Sequence, residues 1–437
     1  MRDLFVAAVV FGLIPMVLRR PQVGIYLWCW ISYMNPHRLA YGFAFGFPWA
    51  YLIALVTMSG LFMSKEPKRI PWTRETILLL FFVLWMGITT LNAFYFDSAV
   101  EQYTKVLKIQ LMTFVTLMII NDRQKLHMMV WVIAASIGFY GIKGGIFTVL
   151  HGGAYRVQGP LGTFIGGNNE MALALIMTIP LIRYLHLQET KPWLKLGLGG
   201  ALMLTTLAAV GSQSRGALVG LVVMASMFWL KSRNKFMTAL LIIVAIGLAA
   251  SIMPQTWYDR METTKNYQED NSALGRINAW WTAFNVAKDR VTGGGFEMFR
   301  PSVYQAYAPE PNRVHDVHSI YFEVMGEHGF IGFSMFMLIG WFAWRTCSRV
   351  MKENKHIPER KWMTDLAAMT QVSITGYAAS GAFLGLAYFD YFYHLVAIAV
   401  ILGQLSNQIK TSTNPISQAK EIGRKGLATL RLAKTTA

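Results

Sequence analysis

The chain has 437 residues, 54% of them hydrophobic and 14% charged. Soluble globular proteins carry about 25% charged residues, so the composition excludes an ordinary soluble enzyme and points to a membrane. The net charge of +17 is spread over short connections between apolar runs, which speaks against a nucleic-acid-binding surface.

Crossing a bilayer takes roughly 17–25 apolar residues. Runs of that kind predict spans near 4–18, 22–36, 47–63, 76–95, 106–121, 127–150, 168–186, 196–213, 216–231, 236–254, 319–346, 363–386 and 388–408. The fold class expected is an all-α polytopic integral membrane protein of about 12–13 transmembrane helices, the first two short enough for one to be re-entrant. The run after Arg2-Asp3 continues past Arg19-Arg20 into further spans, which predicts no cleaved signal peptide. The expected organisation is one membrane domain over 1–408 and a basic tail over 409–437. That tail is either a frayed terminus or an amphipathic helix on anionic lipid (Ile422, Leu427, Leu430, Leu432).

If the spans alternate, Lys65, Lys68, Arg69, Arg74, Arg123, Lys125, Lys191, Lys195, Lys231, Arg233, Lys235, the cluster Arg345–Lys361 and the tail all share one side. The positive-inside rule makes that side cytoplasmic. Segments 151–167, 211–216 and the long loop 255–318 then face the other way. The long loop balances seven Lys/Arg against eight Asp/Glu and has no cysteine. Cys29 and Cys347 sit in or beside spans, so no structural disulfide is expected.

Within the loop, Ala273–Ala287 reads as an amphipathic helix, with Ile277, Trp280, Trp281 and Phe284 at helical spacing. Its paired tryptophans suit the headgroup zone. Gly293-Gly294-Gly295 stops it, and Pro301, Pro309 and Pro311 with Tyr304 and Tyr307 predict an irregular return to the membrane. A helix lying on the bilayer in this way would roof a cavity open to lipid.

Four arginines on this face are not needed for topology: Arg156, Arg215 in the turn Ser214-Arg215-Gly216, Arg276 on the loop helix, and Arg313. Guanidinium matches phosphate through paired charge-assisted hydrogen bonds. The competing reading of each is an arginine that anchors a helix end. His318, at the mouth of the next span, can accept a proton near neutral pH, or it can be a capping histidine. His315 lies three residues earlier. His-x-x-His invites a metal, but no third ligand completes a site, so no metal is expected. Ser319, Glu323 and Glu327 form one polar stripe, and the two glutamates are expected to pair with an arginine. His328-Gly329 should break that helix. Asn168-Asn169-Glu170 begins the span after Arg156, with capping as the simple alternative for Asn169. Gly216-x-x-x-Gly220 favours close helix packing.

Taken together, these pieces resemble the O-antigen ligase and O-antigen polymerase superfamily. The resemblance rests on His318-Ser319 with Glu327 and Gly329, on Ser214-Arg215-Gly216, on Gly275-Arg276 with Trp280 before Gly293-Gly295, and on Arg156 with Asn169. The chain departs from the family pattern at Ser319, where the family has Asn. The N-terminal third, with Met34-Asn35-Pro36-His37-Arg38, resembles a subgroup of exosortase-associated O-glycosylation ligases. The resemblance implies a cofactor-free, metal-independent glycosyltransferase of the GT-C type in the bacterial inner membrane. Its donor would be a glycan on undecaprenyl pyrophosphate, and its acceptor a hydroxyl of lipid A-core on the periplasmic face. His318 would be the general base, and Arg215 and Arg276 would hold pyrophosphate with support from Arg156. Asn169, Arg313, His315, Glu323 and Glu327 would complete the substrate site. The alternatives are a protein O-oligosaccharyltransferase with a Ser/Thr acceptor, an O-antigen polymerase, and a non-enzymatic lipid-linked glycan transporter.

Overall fold

The computed structural model describes residues 1–232, 234–255, 257–258 and 271–413. Among them the regular structure is entirely helical. The predicted amphipathic tail lies outside the described residues, as do Arg233, Arg260 and Lys265. The helices are α1 (Arg2–Arg19), α2 (Gln22–Met34), α3 (Phe43–Gly46), α4 (Trp49–Met63), α5 (Arg74–Leu91), α6 (Phe96–Ile119), α7 (Arg123–Leu150), α8 (Asn168–Gln188), α9 (Pro192–Gly211), α10 (Arg215–Lys231) and α11 (Lys235–Ile252). Then follow α12 (Asn271–Asp289), α13 (Pro301–Tyr307), α14 (Ile320–Asn354), α15 (Lys361–Gly381) and α16 (Asp390–Thr413).

Every predicted span coincides with one of these helices. Seven of the described helices are long and apolar enough to cross a membrane on their own: α5, α7, α8, α9, α11, α14 and the Asp390–Lys410 part of α16. The others fall short for local reasons. Helix α1 carries Arg2, Asp3 and Arg19, and α10 has only 17 residues. Helix α8 is the buried centre, whereas α11 has no buried residue and lies on the outside of the bundle.

Several boundaries differ from expectation, and three differences bear on the site. The span predicted to 386 ends at Gly381, and residues 382–389 become a loop before α16. The span predicted to 95 ends at Leu91. The return segment is not wholly irregular, because Pro301 at the first turn starts α13.

The two ends of the bundle are distinct. At one end lie the Lys125–Glu66 ion pair (2.7 Å), Arg123 over the Trp362 ring, Gln188 bonded to Asp365 and Lys410 paired with Glu353. At the other, segments 92–95, 151–167, 212–214, 290–300 and 382–389 are tied together by Phe94 N to Gly294 O, Gln213 Nε2 to Gly153 O, Val157 N to Gly211 O and Ala387 N to Glu323 Oε2. We call this second end the loop face.

The predicted break in α14 is present at Gly329, whose φ of 65° and ψ of −175° only glycine adopts readily. A break of this kind strips the preceding carbonyls of their intrahelical donors, and buried carbonyls need partners. Here Gly294 N reaches Gly326 O (2.8 Å), Gly295 N reaches Glu327 O (2.9 Å) and Trp85 Nε1 reaches His328 O (2.9 Å). The glycine run after α12 is therefore the partner of the kink. A β-carbon at Gly293 would stand 2.5 Å from Gly326 O, so the approach requires glycine there too.

Helix α12 does not lie free on a bilayer. Its small residues Gly275, Ala279, Thr282 and Ala283 are buried, and Gly326 of α14 comes within 3.0 Å of Ala283 Cβ when given a β-carbon. The paired tryptophans diverge because neighbours on a helix point about 100° apart. Trp280 stacks on Phe322 at 5.1 Å and donates to Val317 O, while Trp281 remains 53% exposed. Both cysteines are free and buried.

Candidate active site

A cavity of about 170 Å³ opens on the loop face. Its walls come from the starts of α8 and α10 and from α12. Asn169 belongs to α8; Gln213 and Ser214 to the turn before α10; Arg215, Gly216 and Ala217 to α10; and Ser272, Ala273 and Arg276 to α12. Ser380, Phe383 and Leu384 close it from the end of α15 and the following loop. Each helix N-terminus leaves backbone N–H groups without intrahelical acceptors and carries about +0.5 charge. Two such ends, those of α8 and α10, and two guanidinium groups therefore converge on one small volume, which is chemistry for an anion.

The turn that presents Arg215 is pinned from three sides. Gln213, with a left-handed φ of 55°, donates through its side chain to Gly153 O at 3.0 Å. Asn168 Nδ2 donates to Ser212 O at 2.9 Å. Ser214 caps α10 by accepting from Ala217 N. The close approach of α10 to α15 follows from the Gly216-x-x-x-Gly220 pair. A β-carbon at Gly216 would lie 3.1 Å from Phe383 Cβ, and one at Gly220 would collide with Ser380 Oγ.

Asn169 is not a cap. The N-cap of α8 is Gly167, with no side-chain cap bond, so Asn168 is free to bridge to Ser212 and Asn169 to line the cavity. Arg276 and Arg215 both line the cavity.

His318 stands beside it. Its ring is 5.4 Å from that of His315, and His315 packs on Gly275, next to Arg276: a β-carbon at Gly275 would lie 2.7 Å from His315 Cδ2. His318 has a left-handed φ of 40° and is half-buried. Its Nδ1 is 3.5 Å from Asp316 Oδ2. Burial lowers its pKa below the usual histidine value, Asp316 opposes that, and the charges of Arg276 and His315 add to the lowering.

Other predicted residues are placed differently. Arg156 is exposed and outside the cavity wall, although its neighbour Val157 bonds Gly211 just before the Arg215 turn. Arg313 forms an ion pair with Glu310 at 2.9 Å within its own loop. The expectation that Glu323 and Glu327 pair with an arginine is corrected. Glu323 accepts from Ala387 N (3.0 Å), and Glu327 accepts from Glu297 N (2.9 Å) and Tyr388 OH (2.6 Å). They satisfy backbone and hydroxyl donors of the two loops that frame the site. Sequence reasoning missed Asp316, Gln213 and the 382–389 loop. Asp316 was legible as a carboxylate two residues before a candidate base; the loop was not, because its residues read as apolar span.

No group of three or more His, Cys, Asp or Glu suited to a metal occurs among the described residues.

Residues 1–190 match the model of a family of unknown function (DUF5935). Residues 200–337 match the family model described as O-Antigen ligase. No curated protein matches the chain. The second match takes in the Arg215 turn, all of α12, His318 and the Gly329 kink, so this part of the multi-pass membrane chain carries the O-antigen ligase domain, which supports a place in the O-antigen ligase and polymerase superfamily and a ligase- or polymerase-type role in glycan processing.

Proposed function

We propose that the protein is an O-antigen ligase that moves a glycan from undecaprenyl pyrophosphate to a hydroxyl of lipid A-core on the periplasmic face of the bacterial inner membrane. The observation that carries this reading is the convergence of Arg215, Arg276 and the N-termini of α8 and α10 on one cavity, with half-buried His318 beside it.

The chemistry follows from those groups. Departure of undecaprenyl pyrophosphate breaks the bond from the anomeric carbon to phosphate oxygen and leaves negative charge on the pyrophosphate. Arg215, Arg276 and the first turns of α8 and α10 stabilise that charge where it develops. The acceptor oxygen forms the new bond to the anomeric carbon and gives its proton to the neutral His318 imidazole. One displacement of this kind inverts the anomeric centre. In this reading the guanidinium groups supply the charge compensation, and no metal is required. Asn169 lies where it can meet the donor. Arg156, Arg313, His315, Glu323 and Glu327 support the site from outside the cavity wall, the glutamates by holding loops 294–297 and 382–389.

The test is a deletion strain complemented with wild-type and variant genes. Loss of O-antigen from lipopolysaccharide, with undecaprenyl-linked polymer still made, supports the ligase. Single-unit chains on lipid A-core support a polymerase. Unchanged lipopolysaccharide with loss of glycan from Ser/Thr of proteins supports a protein O-oligosaccharyltransferase. Accumulation of the donor on the cytoplasmic side supports a transporter.

A further inference from the structure

The chain between α13 and α14 is held more tightly than a loop needs to be. Asn278 of α12 donates to Glu310 O (2.8 Å) and Arg313 O (2.9 Å) and accepts from Glu310 N (2.9 Å). Tyr304 OH donates to His315 O, and Trp280 Nε1 to Val317 O. These five hydrogen bonds, from three side chains, fix the backbone on both sides of Asp316. We propose that Asp316 is the positioning residue for His318, holding its Nδ1–H so that Nε2 is the free, proton-accepting nitrogen. The proposal deepens the ligase reading and rests on His318 being the base in it.

The geometry of Asp316 fits this task. Its Oδ1 accepts from Val317 N at 2.8 Å, which fixes the carboxylate plane. Its Oδ2 lies 3.5 Å from His318 Nδ1. His315 does not compete for the carboxylate, because its own Nδ1 is engaged with Asp316 O at 2.8 Å. The positive φ of His318, uncommon outside glycine though less so for histidine, accompanies this contact. A neutral imidazole has one donor and one acceptor nitrogen, and the partner of the donor decides which is which. The charged groups that face His318 are Asp316 and His315 from its own segment and Arg276 from α12. Among the described residues Asp316 is the single carboxylate of this group. A hydrogen bond to Asp316, closed from the 3.5 Å separation seen here, therefore sets the tautomer and stabilises the imidazolium formed after proton transfer.

The experiment uses the full chain in lipid nanodiscs, with an undecaprenyl-pyrophosphate-linked glycan and lipid A-core, as wild type, Asp316→Asn, Asp316→Glu and His318→Gln. Histidine ring-¹⁵N NMR is recorded on the same samples, with His318 assigned by its loss in His318→Gln. For Asp316→Asn the expected kcat falls about 10- to 100-fold, the carboxylate being exposed and loosely bonded, with KM for the donor within about twofold. His318 loses its single Nδ1–H tautomer, and its titration moves to lower pH by roughly half a unit or more. Asp316→Glu recovers most of the rate. A kcat within twofold of wild type, with tautomer and titration unmoved, overturns the proposal. Transfer by His318→Gln at the wild-type rate instead overturns the base assignment itself, which separates that failure from failure of the Asp316 role.

Discussion

Asn168 Nδ2 donates to the Ser212 carbonyl at 2.9 Å, and this bond joins the first turn of α8 to the turn that presents Arg215. It makes the cavity a junction of two helix starts rather than a property of either alone. Asn168→Ala removes the donor and leaves a buried carbonyl unpaired. A buried unsatisfied group costs about 1–3 kcal/mol. The expected result is a lower thermal unfolding midpoint in detergent and a loss of transfer activity, with donor KM raised more than kcat is lowered, because Arg215 is displaced.

Arg215 and Arg276 should not tolerate lysine. A guanidinium offers a planar fork to phosphate oxygens, whereas an ammonium offers a point charge. Charge-assisted hydrogen bonds contribute about 1.5–3 kcal/mol each, so Arg215→Lys and Arg276→Lys should each cost roughly 10- to 150-fold in kcat/KM, and the alanine variants more. Steady-state transfer measured against donor concentration checks this.

Gly329→Ala should destabilise the protein through the kink. Its backbone lies where only glycine is comfortable, and a β-carbon would collide with Val291 O. Strain of this type costs on the order of 1–3 kcal/mol. The donors Gly294 N, Gly295 N and Trp85 Nε1 would also lose alignment with their carbonyls. Reduced folded yield and a lower unfolding midpoint are expected, and an unchanged midpoint would contradict this role for the kink.

The pH dependence follows from His318. Burial and the nearby positive charges hold its imidazole below the usual histidine value of about 6.5. The base acts when neutral, so activity is lost as pH falls through the folded-state pKa. The acid limb of kcat/KM should therefore lie below pH 6.5, with a plateau through neutrality. A limb above pH 7 would exclude a buried histidine of this kind as the base.

Much of the fold was legible in the sequence because bilayer thickness fixes the length of an apolar run. Gly329 and the glycine run after α12 were legible as interruptions, though not as each other's partners; that link needs the orphaned carbonyls of the kink. Arg215 and Arg276 were legible because an arginine in a turn or on an amphipathic helix needs a reason. Periodicity could not show that Trp280 turns inward while Trp281 does not, nor that 382–389 leaves the helix. Those outcomes depend on packing against Phe322 and on Glu323 accepting from Ala387 N. The expected arginine partners of Glu323 and Glu327 failed for the same reason. A buried carboxylate takes whichever donors the fold brings to it, and here those are backbone N–H groups and Tyr388.

The most direct test of the central claim is glycan transfer by the purified chain in nanodiscs from an undecaprenyl-pyrophosphate-linked donor, comparing wild type with Arg215→Ala, Arg276→Ala and His318→Ala. All four should be shown folded by their unfolding midpoints. The account predicts transfer by wild type, a large rise in donor KM with loss of rate for the arginine variants, and loss of rate with donor binding retained for His318→Ala. Transfer at the wild-type rate by folded Arg215→Ala and Arg276→Ala would contradict it.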